Sequence, residues 1–125
     1  MEKNITVRLT ARLFAEEKCY GPGVEQLLKA VERHRSLRAA AASMSMAYSK
    51  AWSIIRAAEQ GFGCKLLHST IGGSGGGGAE LTDEARQIMA AYETYCARMN
   101  EYGQALFKEL FPFCAADDGI DSARK

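Results

Sequence analysis

Residues 36–60 read SLRAAAASMSMAYSKAWSIIRAAEQ, and this stretch decides the fold. Ser36 stands directly before a run that includes four consecutive alanines at positions 39–42. Serine is a favoured N-cap because its hydroxyl accepts a hydrogen bond from a free backbone N–H, and alanine is the strongest helix former. The pattern predicts a short helix over residues 37–44, which Ser45 ends.

A longer helix is predicted directly after it, over residues 47–60. Ala51, Ile55 and Ala58 recur at intervals of four and three, which places them on one apolar helical face. Gly61-Phe62-Gly63 then ends the helix, as glycine commonly does. Two helices joined by so short a turn are typical of a helix-turn-helix.

Two further elements are predicted upstream of this pair. Residues 24–34 follow the helix-breaking Gly21-Pro22-Gly23 and carry an apolar face at helical spacing, which predicts a helix. Residues 5–13 alternate between apolar and polar side chains, and this period of two predicts a half-buried strand. The apolar positions of the helix are Val24, Leu27, Leu28 and Val31, and those of the strand are Ile5, Val7, Leu9, Ala11 and Leu13.

A wing is predicted after the helix pair. Residues 64–68 and 79–81 are two short segments that can pair as strands, and the glycine-rich residues 72–78 between them would form the tip. The predicted fold class is therefore α+β and mostly α. It is a winged helix-turn-helix over residues 1–82, with an N-terminal strand and a long C-terminal dimerisation helix.

That last helix is predicted over residues 83–111, with Thr82 as its N-cap and a flexible tail at 112–125. Its apolar residues recur at alternating intervals of four and three, as in the seam of a coiled coil. Either this seam packs on its own domain, or a helix of this length pairs with a second copy, which we favour. The predicted dimer interface consists of Ala85, Ile88, Met89, Tyr92, Cys96, Met99, Leu106 and Leu110, with Gly103 also in the seam.

Size and composition narrow the class of protein. The chain has 125 residues, of which 47% are hydrophobic and 25% charged, as expected of one globular domain. No apolar run reaches the roughly 18 residues that a membrane span needs, so we expect no membrane association and a cytoplasmic location. The four cysteines stand far apart without a CxxC pair, which favours reduced thiols over disulfides or a zinc site.

The charges are divided unevenly along the chain. Residues 1–79 hold 11 Lys and Arg against 6 Asp and Glu, whereas residues 80–125 hold 5 against 9. Cations cluster around the helix-turn-helix, where they can neutralise nucleic-acid phosphates, although a solvated charged surface would look the same. They are Arg33, Arg35, Arg38, Lys50, Arg56 and Lys65.

The predicted second helix of the helix-turn-helix has an outward face suited to the major groove of duplex DNA. If Ala51 and Ile55 point to the core, helical geometry turns the polar positions outward. Trp52 lies at the flank, where it could either close the core edge or contact a base. Together with Arg38, the candidate DNA-binding residues of this region are Tyr48, Ser49, Lys50, Trp52, Ser53 and Arg56.

No catalytic or metal-binding constellation is found, so we expect no enzymatic activity, no cofactor and no metal. Ser49 and Lys50 are neighbours on a helix and do not face each other. The glycine run lacks the Lys-Ser/Thr pair of a phosphate loop and is followed by Glu80. It is either a flexible turn or a wing tip that contacts the sugar-phosphate chain through Thr70, Gly73, Ser74 and Gly75.

Three segments resemble the N-terminal winged-helix domain of the ModE family of molybdate-responsive transcription regulators and, more distantly, LysR-type regulators. They are residues 36–41, 46–52 and 72–82, and the resemblance extends over about residues 5–102. It implies a sequence-specific transcription regulator that binds double-stranded DNA as a homodimer through its long C-terminal helix.

The chain also departs from that family. The resemblance implies Ser at position 47, a basic residue near 49 and basic residues at 69 and 74, where this chain has Ala47, Ser49, Ser69 and Ser74. These small neutral groups should lower phosphate affinity. Molybdate-binding domains are absent from these residues, so we expect no molybdate binding by this chain alone. The alternative interpretation is a protein-interaction winged helix that has lost DNA affinity.

Overall fold

The computed structural model describes residues 4–70 and 78–114. Its secondary structure confirms the α+β, mostly helical class, with a helix-turn-helix, a two-stranded wing and a long last helix. In chain order the elements are β1 (Leu13–Phe14), β2 (Lys18–Tyr20), α1 (Pro22–His34), α2 (Leu37–Ser43), α3 (Tyr48–Phe62), β3 (Leu67–Thr70), β4 (Gly78–Leu81) and α4 (Asp83–Leu110).

The chain forms two compact units. The larger unit is Thr10–Tyr92 and therefore includes the first ten residues of α4. The smaller unit consists of the described parts of residues 1–9 and 93–125. The larger unit thus ends at Tyr92, whereas the predicted winged helix-turn-helix ends at residue 82.

The core of the larger unit is built from the apolar faces that the sequence predicts. Ala51, Ile55 and Ala58 of α3 are completely buried, as are Leu27 and its neighbours on the inner face of α1. Full burial of one large aliphatic side chain contributes about 1.5–3 kcal/mol. The largest fully buried side chains are Tyr20, Leu27, Leu28, Ile55, Leu66 and Val31.

The turn of the helix-turn-helix is closed by backbone hydrogen bonds at the end of α2. Ser45 adopts a left-handed conformation with φ of 54°. Its N–H donates to the carbonyl of Ala42 at 3.0 Å, and the N–H of Met46 donates to Ala41 at 2.9 Å. This is the hydrogen-bonding pattern of a Schellman motif. The predicted break at Ser45 is confirmed, and it fixes how the chain enters α3.

The base of the wing is tied to two helices, α3 and α4. β3 and β4 are antiparallel, with Leu67 opposite Leu81. Glu59 of α3 accepts a hydrogen bond from the N–H of Leu66 at 2.9 Å. Thr82 donates to the carbonyl of Lys65 and accepts from the N–H of Ala85, which confirms it as the N-cap of α4.

The predicted N-terminal strand over residues 5–13 is wrong in its extent. Only Leu13–Phe14 forms strand β1, which pairs with β2 in a short hairpin, and Ile5 makes an isolated bridge. The backbone at Leu9 bonds instead to a side chain of α4 in the smaller unit. Asn100 accepts from the N–H of Leu9 at 2.8 Å and donates to its carbonyl at 3.0 Å.

The first part of the predicted seam of α4 is also corrected. Ala85, Met89 and Tyr92 are buried at 0%, 8% and 7% exposure inside the larger unit. They face their own domain and expose little surface to a second copy. This part of α4 follows the alternative in which the seam packs on the chain's own domain.

In the smaller unit, the N-terminal segment covers part of the same seam. A Cβ added at Gly103 would lie 2.7 Å from Cδ1 of Leu9, so Leu9 already occupies the space beside this glycine. An exposed apolar stripe remains, with successive intervals of four, three, four and four residues. We call it the α4 stripe, and it consists of Tyr95, Met99, Tyr102, Leu106 and Leu110, all exposed except the half-buried Met99.

The described helices include no segment that is both long enough and apolar enough to cross a membrane. α4 has the length, with 28 residues, but charged side chains interrupt it throughout.

Candidate nucleic-acid interface

The outward face of α3 carries the side chains that the sequence predicts there. Ser49, Lys50, Ser53 and Arg56 are exposed, and Tyr48 is half-buried. At 3.6 residues per turn, Lys50 and Trp52 lie about 160° apart around the helix axis. α3 therefore presents Ser49, Ser53 and Arg56 outward, between one flank at Lys50 and another at Trp52.

A stack of two aromatic rings between two cationic groups runs along the Trp52 flank. The guanidinium carbon of Arg38 lies 4.1 Å from the centroid of the Tyr48 ring. Tyr48 meets Trp52 edge to face at 6.4 Å, and the guanidinium of Arg56 lies 5.8 Å from Trp52. We call Arg38, Tyr48, Trp52 and Arg56 the aromatic ladder.

The ladder follows from local sequence and one tertiary contact. Residues 48, 52 and 56 are spaced by four, so their side chains lie above one another on α3. Arg38 reaches them because the tight turn places α2 beside the start of α3. Trp52, with 36% of its surface exposed, serves as a platform between Tyr48 and Arg56. Cation–π contacts at exposed sites contribute about 0.5–1 kcal/mol each.

A groove of about 290 Å³ separates the ladder from the wing. It brings Arg38, Tyr48 and Trp52 together with residues of β3 and β4. Ser36 and His68 also line it, and sequence reasoning did not single them out for binding. The sequence pattern identifies Ser36 only as a helix cap, and its hydroxyl does accept a hydrogen bond from the N–H of Ala39 at 3.0 Å. For His68, no local pattern places it opposite α3.

The wing strands position Thr70 at the end of β3, half-buried and opposite Gly78. A Cβ at Gly78 would collide with the Thr70 hydroxyl and lie 3.1 Å from the carbonyl oxygen of Arg35. A side chain at position 78 would therefore force the Thr70 side chain and the end of α1 to shift. The predicted contacts Gly73, Ser74 and Gly75 lie outside the described residues.

The cations of α2 and α3 are available for an anionic partner. Within residues 4–70 and 78–114, Arg38, Lys50 and Arg56 make no ion pair. Glu59, the acid nearest in sequence to Lys50 and Arg56, accepts a hydrogen bond from the N–H of Leu66. The described wing strands contain no Lys or Arg, and His68 lies 3.4 Å from Glu80.

Metal binding finds no support in the described part of the chain. No group of three His, Cys, Asp or Glu side chains there could hold an ion. The four cysteines are free, and of these only Cys19 is buried.

Comparison with known proteins agrees with this geometry. Residues 26–86 match the family of bacterial regulatory helix-turn-helix proteins of the lysR type. The match begins within α1 and ends at the start of α4, so it contains the helix-turn-helix and the wing. The chain is 37% identical over 81 residues to a molybdenum transport protein ModE of Azotobacter vinelandii. Residues 26–86 thus resemble the lysR-type helix-turn-helix domain, and the chain resembles ModE proteins. We call this region the ModE-like domain.

The ModE-like domain has further relatives of the same name. The chain is 29% identical over 89 residues to the transcriptional regulator ModE of Haemophilus influenzae. This alignment covers 71% of this chain and 33% of that protein. The alignment with the Azotobacter protein covers 65% of this chain and 29% of that protein. The chain therefore spans about a third of the length of these relatives, and the comparison concerns the ModE-like domain and its flanks.

Proposed function

We propose that this chain is a DNA-binding transcription regulator of the ModE and LysR type, which reads duplex DNA with α3. The observation that carries the proposal is the aromatic ladder and its adjoining cations on the exposed face of α3. In a helix-turn-helix, this helix lies in the major groove and its exposed side chains contact base edges. The ModE-like character of residues 26–86 supports this use.

The exposed residues of α3 have separate roles in the proposal. Arg56 and Ser53 point outward and reach base edges, since arginine can donate two hydrogen bonds to guanine. Lys50 lies on the flank, where a point charge meets a phosphate and adds affinity without reading sequence. Tyr48 and Trp52 hold Arg38 and Arg56 in place and offer apolar edges to the groove.

We further propose that the protein acts as a homodimer through the α4 stripe. Tyr102 is 80% exposed and Leu106 54% exposed, although both are large and apolar. Contiguous apolar surface of this kind marks interaction sites. A two-fold dimer presents two copies of α3, so the preferred DNA site should be roughly palindromic.

Fluorescence anisotropy with DNA fragments tests the proposal. Wild-type protein should bind a selected duplex with affinity that falls steeply with salt. Lys50→Ala should weaken binding to selected and random DNA alike, whereas Arg56→Ala should cost about 1–3 kcal/mol on the selected site alone. Lys108→Ala, which removes the same charge near the end of α4, is the matched control and should bind like wild type. Salt-independent binding or no binding by wild type would refute the proposal.

A protein-interaction role is the second candidate, and it has one observation in its favour. The described wing strands lack Lys and Arg, which ordinarily strengthen contact with phosphates. If the wild-type chain failed to bind any duplex at low salt while remaining folded, this second function would replace the first.

A further inference from the structure

A second groove lies on the Lys50 flank of α3, the flank opposite the aromatic ladder. α3, the start of α1 and the hairpin of β1 and β2 enclose a volume of about 370 Å³. Arg12, Lys18 and Lys50 line it, together with Ser53. Among the described residues, no carboxylate lines this groove, and none of the three cations has an ion-pair partner.

The hairpin that supplies Arg12 and Lys18 is held firmly beside α3. Tyr20 of β2 is fully buried, and its ring meets Phe62 of α3 edge to face at 5.8 Å. A Cβ at Gly61 would lie only 2.5 Å from Cβ of Cys19, so β2 packs directly against the helix backbone. These contacts place Lys18 at the groove although it is 32 residues from Lys50 in sequence.

Arg12 crosses the start of α1. Its Cγ lies 3.3 Å from the position that a Cβ on Gly21 would occupy, and Gly21 is the N-cap of that helix without a side-chain cap. The first turn of α1 contains one acid, Glu25, which is turned inward. Glu25 accepts a hydrogen bond from the Tyr20 hydroxyl at 2.6 Å and lies 3.9 Å from Nζ of Lys29. Glu25 does not line the groove.

The resulting electrostatics favour an anion. Three cations converge on one open cleft that also contains the positive end of the α1 dipole. Like charges gathered without a counter-charge raise the local potential and attract negative groups. A bound phosphate would relieve the repulsion among these cations, which only solvent and dissolved salt otherwise screen.

We infer that the Arg12–Lys18–Lys50 groove binds a phosphodiester group of the DNA backbone. The inference rests on the proposed function. It adds a contact with the second strand of the DNA, on the side of α3 away from the wing. Lys50 and Ser53 belong both to this groove and to the exposed face of α3. A helix in the major groove has a phosphate backbone on each side, so the ladder flank would follow one strand and this groove the other.

Anisotropy titrations over about 50–200 mM salt test the inference. The variants are Arg12→Gln, Lys18→Gln, their double, and Lys108→Gln as a charge-matched control outside the groove. Arg12 and Lys18 are exposed, so the folded state should persist, which thermal unfolding verifies. We expect the double variant to lower the slope of log affinity against log salt by about 0.9 for each lost phosphate contact, equally on selected and random DNA.

A set of duplexes, each with one methylphosphonate in place of a phosphate, locates the contact. Wild-type protein should lose affinity at the phosphate that enters the groove. The double variant, which keeps only Lys50 of the three cations, should show a smaller loss at that position and should still lose affinity at others. If the double variant and the wild-type protein had the same salt slope and the same pattern of affinity losses, the inference would be overturned. The proposed function would remain intact.

Two other outcomes are informative. If wild-type protein binds no DNA, the proposed function fails and the groove assignment fails with it. If inorganic phosphate saturably shifts the amide resonances of Lys18 and Gly23 while the DNA salt slopes of all variants remain equal, the groove holds a free anion. That result would also overturn the DNA assignment.

Discussion

Arg38 stacks on Tyr48, with 4.1 Å between its guanidinium carbon and the ring centroid, and so a side chain of α2 braces the first residue of α3. The planar guanidinium can stack on an aromatic face, whereas the ammonium of lysine provides only a point charge. Stacking of this kind orients Tyr48 toward the groove beside the wing.

Arg38→Lys should therefore distinguish the orienting effect of the Arg38–Tyr48 stack from the effect of the positive charge, which lysine keeps. We expect it to reduce DNA affinity about fivefold, for a loss of about 1 kcal/mol, with an unchanged salt slope. Arg38→Gln should lose affinity and also lower the slope by about 0.9 if the charge meets a phosphate. Anisotropy titrations measure both quantities. Equal behaviour of the two variants would contradict an orienting role for the stack.

Gly61→Ala should destabilise the larger unit by about 1–3 kcal/mol, because the new Cβ would overlap Cys19 of β2. The atoms in the way are Cβ at 2.5 Å and Sγ at 2.6 Å, and the first of these cannot rotate aside. Urea unfolding followed by circular dichroism gives the change.

Gly23→Ala is the matched control for this substitution. Nothing lies within 4 Å of its Cβ, and it stands inside α1. It should be neutral or stabilising by about 0.5–1 kcal/mol, since alanine restricts the unfolded chain. Adding Cys19→Gly to Gly61→Ala should restore part of the lost stability. No recovery would show that the overlap with Cys19 is not the cause.

Asn100→Ala should release the N-terminal segment from the second half of α4. Both hydrogen bonds between the Asn100 amide and the backbone of Leu9 would be lost, and each contributes about 0.5–1.5 kcal/mol. Hydrogen exchange should show a faster-exchanging Leu9 amide. Gln87→Ala, an exposed change on the same helix, should leave that rate unaltered. Unchanged protection in Asn100→Ala would mean that other contacts hold the segment.

Leu106→Glu combined with Leu110→Glu should convert a dimer into a folded monomer. Both side chains are more than half exposed, so the charges cost little within one chain but would repel each other across a two-fold axis. Light scattering should show the mass fall from twice to once 13.6 kDa.

Met89→Glu should behave differently from that pair, because it places a carboxylate at a buried site inside the larger unit. We expect loss of folded protein, measured by thermal unfolding. A wild-type mass of 13.6 kDa at micromolar concentration would refute the proposed dimer, whatever the variants do.

Local patterns were sufficient to predict the helices of the larger unit. Ile55 and Leu28 are buried as their spacing requires, and Ser36 caps α2 as its position suggests. A helix brings residues three and four apart onto one face whatever surrounds it, so the apolar face can be read from sequence. The cations and aromatics on the outward face of α3 follow from the same geometry.

The sequence does not say what each apolar face packs against. Met89 and Leu110 are 21 residues apart and occupy equivalent places in the seven-residue repeat, yet one is buried in its own domain and the other is exposed. Likewise, alternation at Val7 and Leu9 is typical of a strand, but in the folded chain their carbonyls accept hydrogen bonds from Gln104 and Asn100. An unpaired backbone group bonds to whichever donor the fold brings near.

The sequence by itself determined the helix-turn-helix, its capping and the outward face of α3, because those depend on residues within one or two turns of each other. Only the tertiary structure decided that Arg38 stacks on Tyr48 and that Arg12 and Lys18 meet Lys50. Those residues are joined by the packing of Tyr20 and Cys19 against α3 and by the turn at Ser45. Contacts between distant segments depend on how several buried faces fit together, and no single periodicity encodes that fit.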